Sequence, residues 1–147
     1  MTTVRTILLV DDSDDDEFLT RRALKKAGYA CDVLRVSDGQ QAIDYFGRQG
    51  EYADRKKYPE TQLVFLDIHM PRVSGFDVLN WLREHPVDPP PYVVMMLSSA
   101  DESRDRLQAA GLGAHNSCAK PPGPQLFAEL AERHGFTWIS AGDRAEI

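Results

Sequence analysis

The chain has 147 residues and a mass of 16.5 kDa, which suits one domain with its own hydrophobic core. Its composition, 42% hydrophobic and 27% charged, is typical of a globular protein, and no apolar run is long enough to span a bilayer. The formal net charge of −6 argues against nucleic acid as a direct partner, because phosphate neutralisation needs clustered Lys and Arg.

Segments typical of strands and helices alternate along the first part of the chain. Residues 5–10 predict a strand, and Ser13 is a plausible N-cap for a helix whose first turn is acidic. Residues 31–36 predict a second strand. The turn at Asp38 and Gly39 then leads into a second helix.

The same alternation continues to the end of the chain. Residues 47–62 are polar and predict a helix extension followed by a long loop. The later predicted elements are a central strand at 63–66, a helix at 76–84, a strand at 92–97, a helix at 101–110, a strand at 114–119 and a helix at 123–133. Five strand–helix units in succession predict a parallel sheet with right-handed crossovers and helices on both faces.

Two features bear on the compartment of the protein. The apolar stretch near the start is too short for a signal peptide. Cys31 and Cys118 lack the C-x-x-C spacing of a zinc site and are too few for a disulfide framework. We therefore expect a cytoplasmic protein in which both cysteines are reduced and buried.

Polar side chains follow four of the predicted strands at the point where each strand ends. In a parallel sheet the carboxyl ends of the strands meet at one edge, which is where ligands bind in open α/β sheets. These side chains are therefore expected to converge. They are Asp11 and Asp12 after the first strand, Asp67 after the central strand, Ser98 and Ser99 after the fourth, and Lys120 and Pro121 after the fifth.

This combination of side chains predicts a particular chemistry. A lone strand-end aspartate more often only caps a loop, but crowded carboxylates raise one another's pKa unless a cation lies among them. An oxygen-only set without His or Cys suits Mg²⁺. Mg²⁺ beside a carboxylate, a lysine and a hydroxyl suits phosphoryl transfer to an aspartate, with Asp67 as the nucleophile and Lys120 holding phosphoryl oxygens.

These motifs resemble the receiver domain of bacterial two-component response regulators over residues 6–133. The matching segments are LLVDDS, LDIHMPRVSGF, MMLSSA and AKPPG. The resemblance implies a flavodoxin-like α/β fold, in which a doubly wound, five-stranded parallel sheet is built as (βα)5. It implies a receiver domain at 5–134 and a C-terminal extension at 135–147.

The resemblance also implies a phosphoryl acceptor and a metal site. Asp67 would accept a phosphoryl group from a sensor histidine kinase. Asp12, assisted by Asp11, would bind Mg²⁺ together with Asp67, and the main-chain carbonyl of His69 would complete the protein ligands. The His69 side chain would tune the access of the hydrolytic water.

Three further positions take their roles from the resemblance. Ser98 would hydrogen-bond the phosphoryl group, Lys120 would pair with it, and Pro121 would hold the loop through a cis Lys120-Pro121 bond. Many receivers carry an aromatic residue three positions before the lysine, where this chain has Ser117. The usual aromatic switch is therefore in doubt here.

The remaining expectations concern output and partners. No DNA-binding module is expected after the last helix, so the output would be contact with a downstream protein target. The 47–62 segment and the aromatic residues Phe136 and Trp138 resemble stand-alone receivers that partner phytochrome-type kinases. The tail would either pack on its own domain or form a homodimer.

Two functions stay open at this point. The first is a phospho-accepting switch, which is not a classical enzyme although it catalyses its own phosphorylation and dephosphorylation. The second is a receiver-like scaffold that is not phosphorylated and acts by binding alone. A magnesium-dependent phosphatase is disfavoured, because no second acid is positioned as a general acid.

Overall fold

The computed structural model of the protein describes residues 2–86, 93–98, 116–120 and 122–140. Its strands are β1 (Thr2–Val4), β2 (Thr6–Val10), β3 (Asp32–Val36), β4 (Leu63–Asp67), β5 (Val93–Ser98), β6 (Asn116–Ala119) and β7 (Phe136–Trp138). Five of them form a parallel sheet in the order β3-β2-β4-β5-β6, which is the flavodoxin-like order. The predicted five-stranded parallel sheet is confirmed.

Helices cover both faces of this sheet. They are α1 (Asp14–Lys26), α2 (Gly39–Phe46), α3 (Gly75–Glu84) and α4 (Pro124–His134). The helix predicted at 101–110 lies outside the described residues. With 13 residues, α1 is the longest of the four, so no helix in the described part of the chain is suited to crossing a bilayer.

The strands alternate their side chains between two hydrophobic clusters. Leu8 and Val10 of β2 belong to the cluster under α2 and α3. Ile7 and Leu9 of the same strand belong to the cluster under α1 and α4. Every residue of β2 and β4 is buried, which is why their sequences are almost continuously apolar.

Three of the loops at the carboxyl edge of the sheet lead into helices that have a side-chain N-cap. The Ser13 side chain accepts a hydrogen bond from the Asp16 N–H and begins α1. Asp38 does the same for α2, and Ser74 forms a reciprocal capping box with Asp77 at the start of α3. Each cap satisfies an N–H group that would otherwise lack a partner, and the caps of α1 and α3 also fix the loops that follow the strands leading to Asp11 and Asp67.

The segment at 47–62 differs from the prediction. Helix α2 ends at Phe46, and Arg48 adopts a positive φ of 56° that turns the chain back. Tyr52 and Tyr58 pack on Tyr45, with ring centroids 5.3 and 5.8 Å from it. The Arg48 guanidinium donates hydrogen bonds to the carbonyls of Tyr52 and Tyr58. The segment is therefore anchored on α2 and is not a helix extension.

A second, two-stranded sheet joins the two ends of the described chain. Strands β1 and β7 pair in parallel, with Thr2 opposite Phe136 and Val4 opposite Trp138. Phe136 is buried in the cluster under α1 and α4. The Trp138 indole stacks on Tyr29 with ring centroids 4.6 Å apart. The aromatic tail thus packs against its own chain.

Cys31 departs from its expected burial. It is only half-buried, and its Sγ donates a hydrogen bond to the Val4 carbonyl over 3.4 Å. It lies just before β3, an edge strand of the sheet, where helices cover the surface less completely. The side chain of Cys118 lies outside the described part of the structure.

Candidate functional site

Strand register brings the predicted site residues to one edge of the sheet. Val10 pairs with Leu66, so Asp11 and Asp67, which come next in their chains, lie side by side. Lys120 directly follows β6, two strands away from β4, and its long side chain reaches back to both acids. The structure therefore brings Asp11, Asp67 and Lys120 together at one edge of the sheet, as predicted.

The Lys120 ammonium group lies among three carboxylates. Its Nζ is 3.1 Å from Asp11 Oδ2, 3.1 Å from Asp67 Oδ1 and 2.7 Å from Asp16 Oδ2. The lysine side chain is only 12% exposed. A shielded ammonium with several acidic partners is held in place far more firmly than a surface lysine.

A second feature of the site is a cluster of three carboxylates. Asp11, Asp12 and Asp67 each offer an oxygen within 4.8 Å of the others. Asp11 and Asp67 are buried, whereas Asp12 is exposed. A buried pair with an exposed third acid is an arrangement that a cation can reach from solvent.

The donor set fits a hard divalent cation. Asp11 Oδ2 is buried and accepts no well-aligned hydrogen bond from the residues that the structure describes, although Lys120 Nζ is 3.1 Å away. The charge of this oxygen is balanced by Lys120, but its lone pairs are not fully used by hydrogen bonds and can also serve a cation. Oxygen-only ligands near a site for phosphate are what Mg²⁺ prefers.

At Asp11, Asp67 and Lys120, burial and the oppositely charged neighbours shift the pKa in opposite directions. Burial raises the pKa of Asp11 to about 6, against the lowering effects of the Ser13 N–H and Lys120. Burial also raises the pKa of Asp67, although Lys120 favours its charged form. For Lys120, burial alone would lower the pKa, but the Asp16 hydrogen bond and the charges of Asp67 and Asp11 outweigh it and raise the pKa.

The backbone around Asp67 is closely packed. The Asp67 side chain accepts a 3.3 Å hydrogen bond from the His69 N–H, and the Gly75 N–H donates to the Ile68 carbonyl over 2.9 Å. A Cβ atom at Gly75 would lie 2.3 Å from the Asp67 carbonyl oxygen. Only glycine allows α3 to begin this close to the acidic residue.

Asp11 is held through both its side chain and its main chain. Its Oδ1 accepts a 2.9 Å hydrogen bond from the Ser13 N–H. Arg35 of β3 donates from Nε to the Asp11 carbonyl over 3.0 Å, while its Nη1 pairs with Glu17 at 2.9 Å. Arg35 therefore links the edge strand, the start of α1 and the acid-bearing loop.

Asp16 is a site residue that the sequence interpretation missed. It was grouped with the acids in the first turn of α1, where an acid is favourable near the helix dipole whatever else it does. In the structure it makes the shortest of the three Lys120 contacts. The signal was the Ser13 N-cap, since a cap fixes which first-turn acid points back toward the sheet edge.

Some predicted site features are only partly described. Ser98 ends β5 in register with Ala119, one position beyond the Leu97–Asp67 pair, and its side chain lies outside the described structure. Ser99 and Pro121 lie outside the described residues, as does the Ser117 side chain. His69 is exposed next to the site. The roles assigned to these residues remain predictions.

Comparison with known proteins places this geometry in a family. Residues 7–132 match the response regulator receiver domain family. The transcriptional regulatory protein GltR of Pseudomonas aeruginosa is 32% identical over 144 residues, which cover 95% of this chain and 54% of GltR. The chain thus spans about half the length of the curated relatives it matches.

Solved structures agree with the sequence relatives. The bacteriophytochrome response regulator AtBRR is 31% identical, with a TM-score of 0.77 over 92% of this chain and 96% of AtBRR. The Mn²⁺-bound form of response regulator Rcp1 is 26% identical, with a TM-score of 0.68 over 87% of this chain and 90% of that chain. The chain belongs to the response regulator receiver domain family, whose members are signalling phospho-acceptors.

Proposed function

We propose that Asp67 accepts a phosphoryl group from a histidine kinase and that the phosphorylated protein signals by contact with another protein. The observation that carries the proposal is the position of Lys120 Nζ, 3.1 Å from Asp67 Oδ1, beside a cluster of three carboxylates. A buried acid paired with a lysine and next to a cation-binding cluster suits a group that must gain and lose a dianionic phosphoryl group.

In the proposed reaction the Asp67 carboxylate is the nucleophile. One of its oxygens attacks phosphorus and forms a P–O bond, while the bond from phosphorus to the donor nitrogen of a phosphohistidine breaks. The electron pair leaves with that nitrogen, which takes a proton. The product is an aspartyl phosphate, and hydrolysis by water returns the carboxylate and inorganic phosphate.

The other site residues neutralise charge around Asp67. Asp11, Asp12, Asp67 and the His69 carbonyl would hold Mg²⁺. The bound ion would supply positive charge to the phosphoryl oxygens and offset the repulsion among the acids. Lys120 would donate to a phosphoryl oxygen, and the Ser98 hydroxyl would donate to another. The exposed His69 side chain would limit the approach of the hydrolytic water, so that the chain sets its own phosphate lifetime.

Labelling with a small acyl phosphate tests the acceptor directly. The wild-type protein, incubated with Mg²⁺ and acetyl phosphate, is expected to gain one acid-stable, base-labile phosphoryl group, seen as a mass increase. Asp67→Asn should gain none. Asp15→Asn is a matched control, because Asp15 is an exposed acid at the start of α1. It should be labelled like the wild type.

Two outcomes would contradict the proposal. An unlabelled wild type would favour the alternative of a receiver-like scaffold that acts by binding alone. Equal labelling of wild type and Asp67→Asn would show that another residue is the acceptor.

The partners and organisation are proposed from the same comparisons. AtBRR is a bacteriophytochrome response regulator, which supports a phytochrome-type sensor kinase as the phosphoryl donor for this chain. We further propose a cytoplasmic location, a receiver domain at 5–134 with an extension at 135–147, and a downstream protein target. We also propose a homodimer as a state of the phosphorylated protein, which size-exclusion chromatography before and after labelling would detect.

A further inference from the structure

Lys120 has one acidic partner that does not belong to the carboxylate cluster. The cluster consists of Asp11, Asp12 and Asp67, whereas Asp16 lies in the first turn of α1. Nevertheless, the contact from Lys120 Nζ to Asp16 Oδ2, at 2.7 Å, is shorter than the contacts to Asp11 and Asp67, at 3.1 Å each. The ammonium group therefore binds most closely to an acid that lies outside the cluster.

The backbone of Asp16 is anchored by the N-cap of α1, and its side chain contacts Lys120. The Asp16 N–H donates to the Ser13 side chain over 3.2 Å, which anchors this first turn of α1. The side chain of Asp16 is 28% exposed. Lys120 Nζ donates a hydrogen bond to Asp16 Oδ2 over 2.7 Å, a distance that leaves no room for a water molecule between them. The contact between the two side chains is therefore direct.

Lys120 and a divalent cation would use the same oxygens. Lys120 Nζ lies between Asp11 Oδ2 and Asp67 Oδ1, and both residues belong to the cluster that can hold an ion. An ammonium group paired only with these two acids would oppose cation binding by occupying their lone pairs and by repulsion between like charges. A third acidic partner outside the cluster relieves that competition.

We propose that Asp16 is a positioning residue that holds the Lys120 ammonium group on the α1 side of the site, leaving Asp11 and Asp67 open to a divalent cation. The choice of Mg²⁺ as the cation rests on the proposed function.

The test is calorimetric titration of the unphosphorylated protein with Mg²⁺. Asp16→Asn is expected to bind Mg²⁺ about 5- to 10-fold more weakly than the wild type, because Lys120 then pairs only with the cluster acids. Asp15→Asn removes the same charge from the same helix turn at an exposed position. It should change the affinity by less than about 2-fold.

A double-mutant cycle separates positioning from simple charge. With Lys120→Met as the background, adding Asp16→Asn should change Mg²⁺ affinity by less than about 2-fold, since no ammonium group remains to be positioned. A second readout needs no metal. In ¹⁵N-lysine-labelled protein the Lys120 ammonium protons should exchange with water faster in Asp16→Asn than in the wild type.

Several results would overturn the inference. These are equal weakening by Asp15→Asn and Asp16→Asn, equal weakening by Asp16→Asn with and without Lys120, unchanged Lys120 proton exchange, or no Mg²⁺ binding by the wild type. Thermal unfolding of each variant checks that the fold is intact. The Mg²⁺ titration contains no phosphoryl donor. A failure of Asp67 labelling would therefore leave the inference about Asp16 standing, and a failure of the Asp16 test would leave the labelling of Asp67 standing.

Discussion

Asp11 is fully buried, with its Oδ2 3.1 Å from Lys120 Nζ, and its surroundings determine how much free energy its ionisation costs. Burial is the largest influence and raises its pKa from 3.8 to about 6, while Lys120 and the Ser13 N–H act in the opposite direction. The folded protein therefore binds the Asp11 proton more tightly than the unfolded chain does. Without a metal ion, an ionised Asp11 makes folding less favourable.

This shift predicts how the stability of the metal-free protein depends on pH. The stability associated with a protonated Asp11 is present below about pH 4 and is lost as the pH rises through about 6, a difference of roughly 3 kcal/mol. In a chelator, the free energy of unfolding of the wild type should therefore fall relative to that of Asp11→Asn between about pH 4 and about pH 7. Urea denaturation across this range measures the difference, and a constant difference would show that Asp11 has an ordinary pKa.

At the level of elements, the start of α3 is built onto the backbone of Asp67. Ser74 caps the helix, and Gly75, its first residue, would place a Cβ atom 2.3 Å from the Asp67 carbonyl oxygen and 2.9 Å from the Ile68 Cα. Both contacts are with main-chain atoms, which cannot move away as a flexible side chain can. Any side chain at position 75 must therefore displace either the helix or the end of β4.

Gly75→Ala is expected to lower the free energy of unfolding by about 1 to 3 kcal/mol, as other overpacking substitutions do. It should also reduce the rate at which acetyl phosphate labels Asp67, because the carboxylate moves with its backbone. Gly123→Ala is a suitable control, since a Cβ atom at that position meets no atom within 4 Å. Chemical denaturation and mass spectrometry give the two readouts, and equal effects of the two substitutions would contradict the packing argument.

At the scale of the whole molecule, Trp138 joins three parts of the chain. It belongs to β7, its indole N–H donates to the Phe127 carbonyl of α4 over 2.9 Å, and its ring stacks on Tyr29 after α1. These contacts hold the two-stranded sheet against the cluster under α1 and α4. They tie the end of the described chain to its beginning.

Trp138→Ala should lower the free energy of unfolding by about 2 to 4 kcal/mol, because it removes both the stacked ring and the hydrogen bond. Trp138→Phe keeps a ring and should cost only about 1 kcal/mol for the lost hydrogen bond. Thr137→Ala affects an exposed residue of the same strand and should stay within about 0.5 kcal/mol. Urea denaturation tests the series, and a small effect of Trp138→Ala would mean that β7 contributes little to folding.

The part of the molecule that sequence could predict is the part that depends on local patterns. An apolar run ending in Asp67 marked a buried strand and its polar end, and the parallel topology then brought that end together with the strand ends that carry Asp11 and Lys120. Ser13 and Asp38 were recognisable as helix starts because a cap acts over only three residues. The positions of Asp67, Lys120 and the acidic pair were predicted in this way.

Features that depend on distant contacts were not predictable. The pairing of β1 with β7 joins three-residue strands that are more than 130 positions apart, and neither has a pattern of its own. Tyr52 and Tyr58 pack on α2, but in the sequence they are tyrosines in a polar segment with no sign of that contact. Asp16 looked like an ordinary helix-start acid, since only the folded chain places Lys120 next to it.

The parallel pairing of β1 with β7 also has a mechanical consequence. Because the strands run in the same direction, a force that pulls Thr2 and Trp138 apart slides one strand along the other. All the hydrogen bonds between the two strands then bear the force at the same time, instead of breaking one after another. This small sheet therefore acts as a shear clamp, so tension along the chain reaches it before it reaches the strands that carry Asp11 and Asp67.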